Sequence, residues 1–427
     1  MTTILAIASI VLLALGVPVA FSLLVGSLLA VALGSAFPLL VPIKEMFTGL
    51  DSFPLMAVPF FILAAELMTG GALTEVLLRF ASQFVAHLRG GLGYTNIFGL
   101  TLFSGISGSA LADAAGPGSV MIRMMEQTGY RKSYAGALTA SIAVIGPIIP
   151  PSIIMVLYAL QDERVSVGAL FVAGFVPGIL IAGAMCAVHW LHARDRKVGD
   201  DGQRAGWRDG LSNTIKAVPA LALIVLILGG MRAGIFTPTE ASVVAVFYAW
   251  FCGTFVYRTL RAGQIPGILV RSALLTVSVL TVISASAAFA WILTIEAVPQ
   301  QLSNWIIGQD MSAWTFLITV NVLLLLFGIF IEPTPGVVVL VPILAPAAAA
   351  LGIDPIHFAM VVIINLTLGM LTPPVGGLLF VVSATARVPI SELSWRVLPF
   401  VAAHLLVLGL ITAVPALSTA LPRWLGM

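Results

Sequence analysis

The sequence predicts an all-α polytopic membrane protein, built as an inverted two-fold repeat with two re-entrant hairpins and two broken helices. Three observations carry this prediction. Of 427 residues, 60% are hydrophobic and 9% charged, and the mean hydropathy is +1.11. Apolar runs long enough to cross a hydrocarbon core of ~30 Å recur from end to end. Two of these runs break at a double proline. Residues 145–152 read Ile-Gly-Pro-Ile-Ile-Pro-Pro-Ser and residues 368–375 read Leu-Gly-Met-Leu-Thr-Pro-Pro-Val, 223 positions apart. This composition excludes a sizeable soluble domain, and a net charge of +2 gives no sign of a nucleic-acid partner.

A proline has no backbone N–H to give the carbonyl four residues earlier. Pro150 and Pro151 therefore strip helical partners from the Gly146 and Pro147 carbonyls, and Pro373 and Pro374 do the same to Gly369 and Met370. In a bilayer core an unpaired carbonyl is strongly unfavourable unless protein, water or an ion satisfies it. A single kink has an ordinary structural explanation. Two at corresponding places in two halves point to a binding site at the repeat interface.

The elements follow in order. The first repeat spans 1–192, with helices over 3–16, 18–34 and 53–70, a hairpin over 93–127, a broken helix over 134–160 and a helix over 167–192. The hairpin is read as such because its apolar run is folded at the middle by Gly, Pro and Ser. A polar linker occupies 193–216. The second repeat spans 217–427, with helices over 217–232, 238–258 and 270–296, a hairpin over 312–350, a broken helix over 356–385 and a helix over 396–420. Glu240, in Thr-Pro-Thr-Glu-Ala, reads as an N-terminal cap residue. Short amphipathic arms are expected at 38–50 and 259–268. The duplication extends past the prolines: at the same offset Arg164-Val165 matches Arg387-Val388, and Pro177 and Pro399 agree within one residue. Glu66 and Glu296 each close an apolar helix. Cys186 and Cys252 lie in apolar runs, so neither a disulfide nor a metal site is expected. No Lys or Arg precedes Lys44, so the first apolar run is read as retained rather than as a signal peptide.

Five crossings and one hairpin per half give the halves opposite orientations. With both termini in the periplasm, sixteen of the 20 Lys and Arg fall on the cytoplasmic side, and only Lys44, Arg164, Arg232 and Arg423 fall outside. The first hairpin then opens to the cytoplasm and the second to the periplasm.

The hairpin tips are rich in small and hydroxyl residues. Residues 103–113 read Phe-Ser-Gly-Ile-Ser-Gly-Ser-Ala-Leu-Ala-Asp, and residues 328–336 read Gly-Ile-Phe-Ile-Glu-Pro-Thr-Pro-Gly. The hydroxyls of Ser107, Ser109 and Thr334 add oxygen ligands to backbone groups left free at the turns. Ser107 lies 43 residues before Pro150 and Glu332 lies 41 before Pro373, so each tip can fold back on the broken helix of its own half. Unwound carbonyls facing such a tip form an oxygen cage that suits Na⁺, and the helix N-termini after each break aim partial positive charge at an anionic group. Asp113 and Glu332 are the acids nearest the tips. An intramembrane carboxylate is a functional candidate, the alternative being a helix cap. Asn365 and Thr367 either line the site or bond a neighbouring helix.

Together these residues carry a family resemblance. Ser-Gly-Ser-Ala-Leu-Ala-Asp-Ala-Ala-Gly (107–116), Gly-Pro-Ile-Ile-Pro-Pro-Ser (146–152), Thr-Glu-Ala-Ser (239–242), Gly-Ile-Asp-Pro-Ile-His-Phe (352–358) and Asn-Leu-Thr-Leu-Gly-Met-Leu-Thr-Pro-Pro-Val-Gly (365–376) occur in that order. The chain resembles the large membrane subunit of tripartite ATP-independent periplasmic (TRAP) transporters over essentially its whole length. The resemblance implies an elevator-type transporter of the bacterial inner membrane. Its hairpins and broken helices would slide against scaffold helices in 1–70 and 217–296. It implies a small four-helix membrane subunit, a soluble periplasmic binding protein and a small organic anion as substrate. The coupling ion would be Na⁺, with no other cofactor. No phosphate-binding Gly-Lys-Ser loop is present, in keeping with independence from ATP. Carried over residue by residue, one Na⁺ site falls on Ser107, Gly108 and Ser109 with Gly146 and Pro150, and the other on Glu332 and Thr334 with Gly369, Thr372 and Pro373. Ser109, Asp113, Ser152, Thr334, Pro335, Val375 and Gly376 are the candidate substrate contacts. The family often has Asp-Thr-Thr-Pro at the second tip, where this chain has Glu332-Pro333-Thr334-Pro335. Family abundance puts C4-dicarboxylates first among substrates, with sialic acid, other sugar acids and compatible solutes open. No arginine occurs in the tips or breaks, so the anion is expected to be held by dipoles, hydroxyls and Na⁺.

Other readings start from the same residues. A proton-coupled carrier of the same architecture is disfavoured by the scarcity of buried titrating groups. Gly105-Ile106-Ser107-Gly108 also resembles the nucleophile string of rhomboid intramembrane proteases, which would need His189, His192 or His404 as base to Ser107. A protease would not need a second hairpin, a second broken helix or an inverted repeat. Inverted repeats with half-helices also build channels, but those carry short pore motifs and are usually smaller.

Overall fold

In a computed structural model of the chain, residues 1–35, 37–69, 73–194 and 207–427 are described, and they form twenty-two α-helices with no strand among them. The first half holds α1 (Thr2–Ala14), α2 (Val19–Gly34), α3 (Leu40–Thr48), α4 (Ala57–Thr69), α5 (Leu73–Val85), a hairpin of α6 (Gly91–Ser107), α7 (Ala110–Ala115) and α8 (Pro117–Gln127), a broken helix of α9 (Lys132–Ala143) and α10 (Ile153–Gln161), then α11 (Val167–Ala173) and α12 (Phe175–Arg194). The second holds α13 (Trp207–Arg232), α14 (Pro238–Phe251), α15 (Ile265–Ile295), α16 (Val298–Gly308), a hairpin of α17 (Ala313–Phe330) and α18 (Pro333–Ala350), a broken helix of α19 (Pro355–Gly369) and α20 (Gly377–Ala386), then α21 (Ile390–Ala413) and α22 (Ala416–Trp424). Among the described residues, seven helices are long and apolar enough to cross a membrane, or eight if α3 and α4 form one span bent by 66°.

Both hairpins and both breaks stand where the glycines and prolines put them. The first hairpin reverses at Gly108, in the left-handed region at φ +62°, where a Cβ is disfavoured. The second reverses at Ile331-Glu332, and Pro333 opens α18 at a position that has no N–H to lose. The breaks occupy 144–152 and 370–376, and the Pro150-Pro151 and Pro373-Pro374 bonds are both cis.

The hairpins pack on the breaks in two ways. Legs α6 and α8 lie on α9, and legs α17 and α18 lie on α19, so each hairpin sits on the first segment of its own half's broken helix. The tips also cross over: α7 packs on α20 and α18 on α10, so each hairpin touches the second segment of the other half's broken helix. Buried amides clasp each leg to its broken helix. Asn96 Nδ2 donates to Thr139 Oγ1 at 2.8 Å, and Asn365 Nδ2 donates to Asn321 Oδ1 at 2.8 Å. Asn365 therefore bonds a neighbouring helix, and Thr367 bonds its own through the Ile363 and Ile364 carbonyls. Arg164 joins the halves: it pairs with buried Asp162 at 2.7 Å and donates to the Ala345 carbonyl of α18 at 2.9 Å. A second group of helices lies beside this one, in which α4 packs on α14 and α15, and α15 carries α2 and α3.

Several expected elements are redrawn. The 259–268 arm is not a separate element: the chain turns at Arg258, with φ +54°, and from Ile265 runs straight into the 31-residue α15, which Pro266 starts. The 217–232 helix begins at Trp207, taking up part of the expected linker, whose residues 195–206 lie outside the described ones. The 396–420 helix is two, parted at Val414-Pro415, because Pro415 cannot continue α21. Helices α5 and α16 are additional, and the second piece of the split helix is α22. The last is tied down by Arg423, which donates to Asp354 Oδ2 at 2.7 Å, while Asp354 Oδ1 caps α19. Burial works to raise the Asp354 pKa, but the Arg423 bond and charge and the two backbone N–H groups outweigh it and hold the carboxyl below its usual range. Glu240 is the reciprocal partner in a capping box whose N-cap is Thr237.

Candidate functional site

Both hairpin tips meet at one cavity of about 180 Å³. Residues 107–112 line it from the first tip and Glu332, Pro333 and Thr334 from the second. Pro147 and Met370 contribute from the two breaks, Ile62, Ala65 and Glu66 from α4, and Leu275 and Val279 from α15. No cationic side chain is among the described residues that line it.

The first tip is built on Asp113. Helix α6 ends at Ser107, the αL turn at Gly108 reverses the chain, and Ser109 caps α7 by accepting from Ala112 N at 3.4 Å. This reversal carries Asp113 back beside the end of α6. Ser104 Oγ donates to Asp113 Oδ2 at 2.8 Å, and Ser107 Oγ donates to Asp113 Oδ1. The carboxylate is fully buried and has no Lys, Arg or His partner among the described residues. The first break lies directly against it, since a Cβ added at Gly146 would stand 2.8 Å from Asp113 Oδ2 and 3.0 Å from Ala110 N. Asp113 is thus neither a cap nor a wall of the cavity. It sits one layer behind Ser107 and Ser109, which do line it.

Three of the four carbonyls stripped by proline find other donors. Ser152 Oγ donates to Pro147 O at 2.6 Å while capping α10, Thr372 N donates to Gly369 O at 3.0 Å, and Leu378 N donates to Met370 O at 3.1 Å. Gly146 O alone has no donor among the described residues. At the second tip, Glu332 and Thr334 face the cavity, while Gly369 is pressed on the backbone of Gly328 where α17 and α19 cross. Thr372 Oγ1 is engaged by the Leu368 carbonyl at 3.0 Å.

The sequence-derived residues therefore separate into two layers. Ser107, Gly108, Ser109, Glu332 and Thr334 line the cavity; Asp113, Gly146, Pro150, Ser152, Pro335, Gly369, Thr372, Pro373, Val375 and Gly376 stand behind it or to one side. Sequence reasoning missed Arg271, whose Nε donates to Glu66 Oε2 at 3.0 Å beside the cavity. The two residues are 205 positions apart, and no local pattern joins them. The protease reading finds no support. Ser107 donates to Asp113, His189 bonds Tyr134 and Gly90, His192 stacks on Tyr134, and His404 bonds Phe400, and among the described residues no hydrogen bond joins Ser107 to any of these three histidines.

The profile of the family described as "Tripartite ATP-independent periplasmic transporter, DctM component" matches residues 6–417. The C4-dicarboxylate TRAP transporter large permease protein DctM of Pseudomonas aeruginosa is 40% identical over 383 residues, covering 90% of this chain and 89% of that one. The sialic acid TRAP transporter large permease protein SiaM of Vibrio cholerae is 38% identical over 408 residues, covering 96% and 95%. Among solved structures, the Alcanivorax borkumensis YdaH transporter superposes with a TM-score of 0.57 at 15% identity, covering 91% of this chain and 88% of that one, a likeness of fold alone. The chain is a multi-pass membrane protein that belongs to the DctM family, the large permease component of tripartite ATP-independent periplasmic transporters, and not an enzyme.

Proposed function

We propose that this permease takes up a small organic anion across the bacterial inner membrane, driven by Na⁺ and fed by a soluble periplasmic binding protein, with a small four-helix membrane subunit as its partner. One observation carries the Na⁺ assignment. Asp113 is a fully buried carboxylate held by two serine hydroxyls, without a cationic side chain among the described residues, beside the unsatisfied Gly146 carbonyl. A buried negative charge is strongly unfavourable unless a cation or a proton accompanies it. Carboxylate, hydroxyl and carbonyl oxygens converging at a helix break are the donor set that coupling ions use in transporters. Ser107, Gly108, Ser109, Gly146 and Pro150 would frame that first ion. Glu332, Thr334, Gly369, Thr372 and Pro373 would frame a second.

The elevator reading rests on the cavity's two walls. One comprises the tips and breaks, which pack on each other across the halves; the other is α4 and α15. The hairpins, breaks, α11, α12, α21 and α22 form the moving part, and α1–α4 with α13–α16 form the scaffold. The matched Asn96–Thr139 and Asn321–Asn365 clasps favour a two-fold repeat over 1–192 and 217–427, and the distribution of Lys and Arg favours its inversion, with both termini periplasmic. C4-dicarboxylate and sialic acid are the substrate classes favoured by the relatives. Asp113 also motivates a second reading, in which its carboxyl carries the coupling proton.

Uptake of radiolabelled succinate and sialic acid into proteoliposomes holding the permease and its small subunit tests this. With the binding protein outside, uptake is expected under an inward Na⁺ gradient and not with equimolar K⁺. Accumulation in K⁺ driven by an acidic exterior would establish the proton reading instead.

A further inference from the structure

We propose that Arg271 is the anion-selecting residue of the cavity and that Glu66 is its resident counter-ion, displaced when a substrate carboxylate arrives. This rests on the transport reading above and names the side chain that would recognise the anion.

The argument begins with charge. The cavity is lined by two carboxylates, Glu66 and Glu332, and by no cation among the described residues. An organic anion entering it meets like charge on both walls, which disfavours binding. Arg271 answers one of these carboxylates through its Nε–H bond to Glu66 Oε2 at 3.0 Å.

Helix geometry places the pair at the rim. Leu275 and Val279 line the cavity from α15, and Arg271 lies one turn before Leu275 on the same face. Ile62 lines it from α4, and Glu66 lies one turn after Ile62. The ion pair therefore lies at the edge of the wall that α4 and α15 form. The Glu66 side chain is 19% exposed and that of Arg271 is 57% exposed. A guanidinium has five N–H donors in a planar fork that matches a carboxylate. The two Nη groups of Arg271 have no bond to protein among the described residues. The pair bridges two helices of the same wall, so exchanging Glu66 for a substrate carboxylate on the guanidinium needs no change in the packing of the tips.

The test is a three-variant comparison of succinate uptake in the reconstituted system with its binding protein, with thermal stability measured in parallel. Arg271→Gln is expected to raise KM about tenfold, the size of effect when one charged hydrogen bond is lost. Glu66→Gln removes the competitor and is expected to lower KM and to slow release, so that kcat falls. The double substitution is expected to resemble Arg271→Gln, because the guanidinium is the group that recognises the anion. Thermal stability should be little changed in all three. The inference is overturned if both single substitutions raise KM alike, or if the double substitution restores normal KM, which would make the pair a neutral strut. An unsubstituted protein that takes up neither succinate nor sialic acid would instead remove the transport reading, and this inference with it.

Discussion

Gly369→Ala is expected to abolish uptake and to lower stability by about 1–3 kcal/mol, the usual range for forcing an extra methyl into a packed contact. A Cβ there would stand 2.7 Å from Gly328 O and closer still to the Gly328 Cα and carbonyl carbon. These are backbone atoms of another helix, so no side chain can rotate away. Helices α17 and α19 would have to part, opening the Asn321–Asn365 clasp and moving the second tip off its break. Gly183→Ala and Gly409→Ala are the controls, since a Cβ at either meets nothing within 4 Å. Thermal unfolding of the three variants in parallel checks this. Three equal melting curves would mean that the close crossing of α17 and α19 is not required.

Asp113→Asn is expected to leave the protein folded and to raise the Na⁺ concentration for half-maximal uptake tenfold or more. The substitution keeps the size of the side chain and one acceptor for Ser104 or Ser107, but removes the buried charge. A tenfold effect corresponds to about 1.4 kcal/mol, a small part of what a buried charge contributes to holding a cation. The Na⁺ dependence of succinate uptake at fixed pH is the measurement. An unchanged dependence would take Asp113 out of the ion site. Loss of a pH dependence, with Na⁺ immaterial in both proteins, would favour the proton reading.

What was legible in the sequence was local. The double prolines mark both breaks because each removes a specific N–H, and Ser-Gly-Ser marks the first tip because Gly108 tolerates the αL turn. Helix α5 was missed for its modest hydropathy. Its apolar residues Leu73, Val76, Leu77, Phe80 and Phe84 recur at helical spacing among Glu75, Arg79 and Gln83, a pattern of amphipathic helices that a search for membrane spans passes over. The role of Asp113 was half legible. Ser104 and Ser107 share a helix face, but only the reversal at Gly108 brings the carboxylate back to them. The Arg271–Glu66 pair was not legible, because it depends on how α4 and α15 pack. The match of Glu66 to Glu296 was no guide either, since Glu296 lies 3.7 Å from the Met1 amine and away from the cavity. Arg164 and Arg387 diverge likewise: one joins the halves, and the other ends α20 in the left-handed conformation.

The central claim is that Na⁺ binds at the tips and breaks. Thermal unfolding of the purified permease with its small subunit, in Na⁺ against equimolar K⁺, tests it most directly, because a ligand of the folded state raises stability by RT ln(1 + [L]/Kd). The account predicts a Na⁺-specific rise in the unsubstituted protein that Asp113→Asn removes and Ser109→Ala reduces. Identical unfolding in Na⁺ and K⁺, in a protein that still takes up its anion, would contradict it.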